Sequence, residues 1–396
     1  MKVAVVFTLL GSANAFSPMA TRRHARKVTV AAESDRRDFF EKTATGTAAL
    51  TGASFATGVS PSLAAPKSTA WTQIDVGVDA TLFDIAFDTA EPNHGYVVGA
   101  KGAFLETTNG GVTWFPRSFT NLDAEEEINY RFETVSFKDG EAWIIGKPAI
   151  LLHSKDAGKS WERVPLSPKL PGEPNGIVAL GPSKAEMTTS TGAIYYTENA
   201  GRNWKALVKE TIDATLNRVT SSGVTGASYF TGSISSVKRD GSGDYLSVSS
   251  RGNFFLTWGK GDDFWIPHNR ATPRRIQSMG FIQDDLSKGL WMTLNGGLLQ
   301  FSSKDKFDLN DQTPAFDSVS IKTGGYGIID LAWKNEKEVW AVGGGGTMYV
   351  SNDGGQTFKF DNSADDIPGN LYQIKFVNDK NGFVLGSDGV LLRYTA

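Results

Sequence analysis

The sequence predicts an all-β fold, a seven-bladed β-propeller whose last blade is closed by the N-terminal strand, and three observations carry the prediction. A motif of short strands with alternating hydrophobicity recurs seven times. Polar, glycine-bearing turns that end in Trp or Phe punctuate the repeats. The seventh repeat lacks the fourth strand, and an orphan strand stands ahead of the first. A period of two rather than 3.6 excludes a helical solenoid.

Taken in chain order, the first 65 residues come before the repeats and read as three leader segments. Residues 1–15 hold Lys2, the apolar run Val3–Leu10 and Ala13-Asn14-Ala15 as a small-x-small cleavage site, the pattern of an ER signal peptide. Residues 16–33 carry Arg22, Arg23, Arg26 and Lys27 with no acid before Glu33, the composition of a plastid transit peptide. Residues 34–65 open on Ser34-Asp35-Arg36-Arg37-Asp38-Phe39-Phe40 and close on Ser62-Leu63-Ala64, the pattern of a twin-arginine export signal. Asp35 stands where Ser or Thr is usual, which leaves a Sec-type route as the alternative. The Ala13–Pro18 junction resembles that of plastid proteins in algae with secondary, red-lineage plastids. The expected destination is the thylakoid lumen, reached through the ER.

Residues 66–396 form the propeller. Their second and third strands read as GYVVGAKGAFLETTNGGVTW at 95–114, with counterparts at 141–161, 185–204, 244–265, 289–303, 338–358 and 382–394. Trp71–Val76 supplies the strand missing from the seventh unit, so the two chain ends meet in one blade and leave no free sheet edge. The turns Thr107–Trp114, Ser154–Trp161, Thr197–Trp204 and Ser351–Phe358 match the Asp-box pattern S/T-x-D/N-x-G-x-x-W/F. Asn109, Asp156, Asn199 and Asp353 are expected to bind turn N–H groups, so their role is structural. Gly343–Gly346 reads as a tight turn between strands, because no helix or Lys-Ser/Thr follows it as in a phosphate loop. Glu125-Glu126-Glu127 reads as a solvated loop, with pairing to the basic patch as the lesser alternative.

Composition narrows the chemistry. The chain has no cysteine and four histidines, which removes thiolate sites and leaves little for a zinc or serine–histidine enzyme. A net charge of −3 argues against nucleic-acid binding, and no apolar run is long enough to span a bilayer. Without the leader the chain holds 32 basic and 39 acidic residues, a net charge of −7. Against that background, residues 218–275 hold eight basic and four acidic residues. Assigning strands places Arg131, Lys147, Arg251, Arg270, Arg274 and Arg275 on one face of the ring. Arg218, from the long insertion 205–230, joins them. Such an arginine-dominated surface suits carboxylates and carbonyls of a protein partner. The aromatic cluster Phe254, Phe255, Trp258, Phe264 and Trp265 nearby is expected to be mainly core, and Arg239 falls on the opposite face.

The segments NYRFETVSFKDGEAWIIGKPAILLHSKDAGKSWERVPLS (129–167), SSGVTGASYFTGS with YLSVSSRGNFFLTW (221–258) and IPHNRATPRRIQSMGF (266–281) resemble the photosystem II stability/assembly factor family, as does NLYQIKFVNDKNGFVLGSDGVLLRY (370–394). The likeness covers essentially all of residues 66–396. It implies a non-enzymatic, lumenal propeller that binds the newly made reaction-centre core subunit of photosystem II through an arginine patch, during biogenesis and repair. Carried onto this chain, the patch is Arg131, Arg218, Arg251, Arg270, Arg274 and Arg275. The family implies no cofactor, no metal and no nucleic acid, and a monomer peripheral to the thylakoid membrane. Chlorophyll-bearing assembly complexes stay open as partners. Two alternatives stand beside it, a glycosidase or sialidase-like propeller and a pigment-binding propeller. The enzyme would need a carboxylate pair or an arginine triad with a tyrosine nucleophile. The first inner strand, Leu82-Phe83-Asp84-Ile85-Ala86, lacks the arginine such a triad begins with.

Overall fold

The computed structural model describes residues 67–396 apart from 120, 121, 123, 214 and 217–233. The three leader segments and Arg218 therefore lie outside the described residues. Seven four-stranded antiparallel sheets form the ring. Their inner strands are Leu82–Phe87, Arg131–Lys138, Pro174–Gly181, Ile234–Arg239, Ile276–Phe281, Ile328–Trp333 and Leu371–Asn378, which define blades 1 to 7. The outer strand of blade 7 is Trp71–Gln73, and Trp71 pairs with Tyr394, Thr72 with Arg393 and Gln73 with Leu392. The expected closure is thus present.

Seven apolar clusters hold the ring, one between each pair of neighbouring blades. Phe254, Phe255, Trp258 and Trp265 are buried among them, as expected. The Asp boxes contribute directly. Asn109, Asp156, Asn199 and Asp353 accept turn N–H groups at 2.8–3.1 Å, and Trp114, Trp161 and Phe358 are buried. Each box brings a blade's outer turn against its neighbour. In the second box Gly158 has φ +78°, and a side chain there would collide with Tyr96 of blade 1.

Carboxylates also staple blade to blade by accepting backbone N–H groups. Asp84 accepts from Val135 at 3.0 Å, Glu141 from Ser183 at 2.8 Å, Asp240 from Leu286 at 2.9 Å and Asp330 from Ile374 at 3.1 Å. These acids are buried, so the bonds replace the water they give up.

One feature recurs in all seven blades. Near its start every inner strand shifts register by one residue against its neighbour, which leaves Phe83, Glu133, Asn175, Ser235, Gln277, Ile329 and Tyr372 outside the ladder. Each is the extra residue of a β-bulge. The cause is legible in spacing: the flanking apolar residues, such as Leu82 and Ile85 or Phe132 and Val135, are three apart and buried. A regular strand returns to one face only every second residue. The bulge absorbs the odd residue and, in blades 1, 2, 3, 4 and 7, delivers it to the mouth of the central channel.

Candidate partner-binding face

Antiparallel pairing sorts the connections by face. The turns from second to third strand and the links from one blade to the next share the face where inner strands begin. The Asp boxes share the other face with the turns from first to second strand.

On the first face, blades 4 and 5 build an arginine edge. Arg251 lies in the turn between Tyr245–Ser249 and Phe254–Trp258, and Arg270, Arg274 and Arg275 lie in the link between Ile266–Asn269 and Ile276–Phe281. Backbone bonds join turn and link. Ile276 N–H donates to the Gly252 carbonyl at 2.9 Å, and Asn295 N–H donates to the Arg275 carbonyl at 3.0 Å. Arg270 is half-buried and serves as the clasp. Its Nε donates to the Thr272 carbonyl at 2.6 Å, and its Nη1 donates to the Gly252 carbonyl at 3.0 Å and to Asn253 Oδ1 at 2.8 Å. Arg274 is exposed, and its side chain makes one bond among the described residues, to the Asn295 carbonyl at 3.0 Å. Arg251 and Arg275 are exposed, and neither side chain makes a hydrogen bond or ion pair among the described residues. The structure therefore separates an organising arginine from three that face solvent.

The charge of this stretch also divides more sharply than its sum suggests. Asp240, Asp244, Asp262 and Asp263, the four acids of residues 218–275, all sit in turns of the Asp-box face. Lys238, Arg239 and Lys260 sit there too. Among the described residues of this stretch, the first face carries four arginines and no acid, a local +4. Arg239 is largely buried and bound to Glu186 at 2.8 Å, which fits its exclusion from the patch.

Arg131 and Lys147 fall elsewhere on the same face, at the channel mouth. Arg131 Nε meets Glu133 Oε1 at 3.1 Å, and Lys147 Nζ meets Glu133 Oε2 at 3.0 Å. The Arg131 guanidinium also lies over the Phe83 ring, 4.1 Å from its centroid. Phe83, Glu133, Asn175, Ser235 and Tyr372, five of the seven bulge residues, line this mouth, a cavity of about 610 Å³. Reading the chain as regular strands missed Glu133 and the bulge residues. The three-residue spacing of buried apolar positions is the signal that finds them.

One expectation needs correction. Glu125-Glu126-Glu127 is not a solvated loop but part of a helical turn, Ala124–Glu127. Glu126 pairs with Arg163 at 3.1 Å, and Glu127 is buried, which pushes its carboxyl up from the usual range. Glu126 and Glu127 are used in packing beside blade 2, because the helical turn brings Glu126 to Tyr130, whose hydroxyl donates to it at 3.0 Å, while Glu125 stays exposed.

The other end of the channel is differently made. Its mouth, about 640 Å³, contains Lys238, Asp284, Asp330 and Lys375. Lys238 is bound to Asp330 at 2.8 Å, and Lys375 donates to the Ile85 carbonyl at 2.8 Å. Asp284 touches solvent but sits in this recess, where surrounding protein and then the Asp240 charge push its carboxyl up to about 6. Its cations are engaged internally, in contrast to Arg251 and Arg275.

Comparison with known proteins agrees with this architecture. The sequence profile of the family described as photosynthesis system II assembly factor YCF48 matches residues 63–395. The chloroplastic photosystem II stability/assembly factor HCF136 of Guillardia theta is 57% identical over 85% of this chain and 86% of its own length. The solved structure of YCF48 from Cyanidioschyzon merolae superimposes with a TM-score of 0.78 at 55% identity, covering 82% of this chain and 99% of that one. A structure described as YCF48 bound to D1 peptide gives a TM-score of 0.70 at 39% identity, over 83% of this chain and 98% of the other.

Proposed function

Because the chain belongs to the photosynthesis system II assembly factor family, we propose that it is a non-enzymatic assembly and stability factor that binds the newly made reaction-centre core subunit of photosystem II. The binding surface is the arginine face. The observation that carries this reading is the sorting of charge between faces, with Arg251, Arg270, Arg274 and Arg275 on one side and the four acids of the same stretch on the other. Arg131 and Lys147 extend the surface to the channel mouth, and Arg218, which lies outside the described residues, is assigned to it from the family resemblance alone. A related protein's structure with a D1 peptide supports a reaction-centre segment as the ligand.

The compartment follows from the leader. Cleavage near Ala15 and again near Ala64 would deliver the propeller, as a monomer, to the thylakoid lumen of a secondary plastid. There it meets lumen-exposed segments of the subunit while staying peripheral to the membrane. Among the described residues no helix is long and apolar enough to cross a bilayer.

The test is affinity capture of the reaction-centre subunit from solubilised thylakoids. Replacing Arg251, Arg274 and Arg275 together with glutamate turns the described first-face charge of this stretch from +4 to −2. Affinity should fall at least about tenfold, since breaking one buried charge pair at an interface costs about 2–5 kcal/mol and an exposed one about 1. Binding that remains should depend less steeply on salt. Glutamate at Lys138 and Lys155, on the Asp-box face, should change little. A folded triple variant that captures the subunit as well as wild type would refute the assignment.

A further inference from the structure

We infer that the channel mouth on the arginine face is a socket for a single carboxylate of the partner, and that Glu133 fills this socket from within the chain until the partner arrives. The inference rests on the reading above that a partner docks on this face. Glu133 is the bulge residue of blade 2, so its side chain leaves the ladder and enters the mouth. Its two oxygens are divided between two cations, Arg131 at 3.1 Å and Lys147 at 3.0 Å. Every other described residue lining the mouth is neutral, so among the described residues one positive charge is left uncompensated in a cavity of about 610 Å³.

Donors are left over as well as charge. A guanidinium has five N–H groups and an ammonium three. Glu133 engages Nε of Arg131 and one contact of Lys147, and the two Nη atoms of Arg131 make no hydrogen bond among the described residues. The Glu133 side chain is 15% exposed, whereas those of Arg131 and Lys147 are 56% and 46% exposed. The cations thus present their unused donors outward over a shielded acid. Phe83 supports the guanidinium from the side, which fixes its plane at little entropic cost.

These positions give Glu133 a definite role. It holds Arg131 and Lys147 in place, and it repels any carboxylate that approaches them, because two acids a few ångströms apart in a partly desolvated mouth oppose each other strongly. An incoming acid must share the cations with Glu133 or displace it. Neutralising Glu133 should therefore strengthen binding of a carboxylate, the reverse of what removal of a purely structural ion pair does.

The occupant is a side-chain carboxylate or a chain-terminal one, and three pentapeptides of alanine separate the cases. The first carries a central aspartate between blocked ends, the second has a free C-terminal carboxylate and no acidic side chain, and the third is neutral throughout. Binding to the purified protein is followed through the NMR signal of the Arg131 Nε–H group, identified by its loss in Arg131→Lys. We expect one or both acid-bearing peptides to move this signal and the neutral one to leave it in place. The peptide that binds identifies the source of the carboxylate. Glu133→Gln should raise that affinity at least fivefold, and Lys147→Gln should lower it at least fivefold. Equal or weaker binding by a folded Glu133→Gln protein, or equal binding of the neutral peptide, would overturn the inference. Should Glu133→Gln fail to fold, unchanged affinity in Lys147→Gln overturns it instead. A negative result here together with lost capture by the arginine triple variant discards the socket and keeps the docking face. A positive result with intact capture keeps the socket and discards the Arg251–Arg275 edge.

Discussion

Replacing Trp71 with alanine isolates the contribution of the closing strand to the ring. Trp71 is 4% exposed and meets Trp340, Tyr394 and Phe376 with ring centroids 5.3, 5.2 and 5.8 Å away. Its indole N–H has no hydrogen-bond partner among the described residues, so the substitution removes packing and severs no bond among them. Truncating a buried tryptophan to alanine costs about 3–5 kcal/mol. A propeller of about 330 residues unfolds with an entropy near 2.1 cal/mol/K per residue, so the melting midpoint should fall by about 4–7 °C. Thr72, the next residue, is exposed, pairs with Arg393 through the backbone ladder and shares one solvent-exposed hydrogen bond with the Thr395 hydroxyl at 3.2 Å. Thr72→Ala should therefore shift the midpoint by about 1 °C or less. Calorimetry of the two variants beside wild type gives the comparison. A Trp71→Ala midpoint within 1 °C of wild type would show that the N-terminal strand does not close the ring in solution.

Three further expectations can be checked with the same material. Gly158 and Gly140 share φ +78°, but a Cβ at Gly140 meets nothing within 4 Å, while one at Gly158 meets the Tyr96 hydroxyl. Gly158→Ala should destabilise by clearly more than Gly140→Ala in urea unfolding, and equal losses would remove the steric account of the Asp box. Asp284 holds its proton up to about pH 6 in the folded chain, whereas an unfolded aspartate releases it near 4. The folded state then binds more protons across that window, so stability falls as pH rises from about 4 to 6. Asp284→Asn should flatten this fall, and a pH profile identical to wild type would refute it. Mass spectrometry of the protein from its native source should find an N-terminus near Ala65, and one upstream of Arg36 would end the lumenal assignment.

The ring was legible because its determinants are local. Alternating strands, box turns and the misplaced Trp71 strand each appear within a few residues, and their repetition fixes the blade count. The face of each described arginine was legible for the same reason, since strand order alone sorts the turns. What escaped was spatial. Nothing near Arg270 in sequence marks it as the residue that binds the Gly252 carbonyl, eighteen positions away. Likewise Arg131 and Lys147 read as two free cations until the fold sets Glu133 between them. The helical turn at Glu125–Glu127 was missed because acid-rich composition favours solvent, and the partners that override it, Arg163 and the surroundings of Glu127, come from tertiary packing.

The seven bulges give this repetitive ring a means of telling its blades apart. A residue held in the ladder answers to its pairing partner, but the extra residue of each bulge answers to none. Its identity is therefore not fixed by ladder pairing, although Asn175 and Ser235 each still hydrogen-bond to their own sheet. In this chain those seven places hold Phe83, Glu133, Asn175, Ser235, Gln277, Ile329 and Tyr372, no two of them alike. A guest turned by one-seventh of a revolution meets a different sequence of groups around the rim. The five that line the mouth, Phe83, Glu133, Asn175, Ser235 and Tyr372, thus give a ring of near-identical segments an asymmetric collar, chemically distinct from blade to blade.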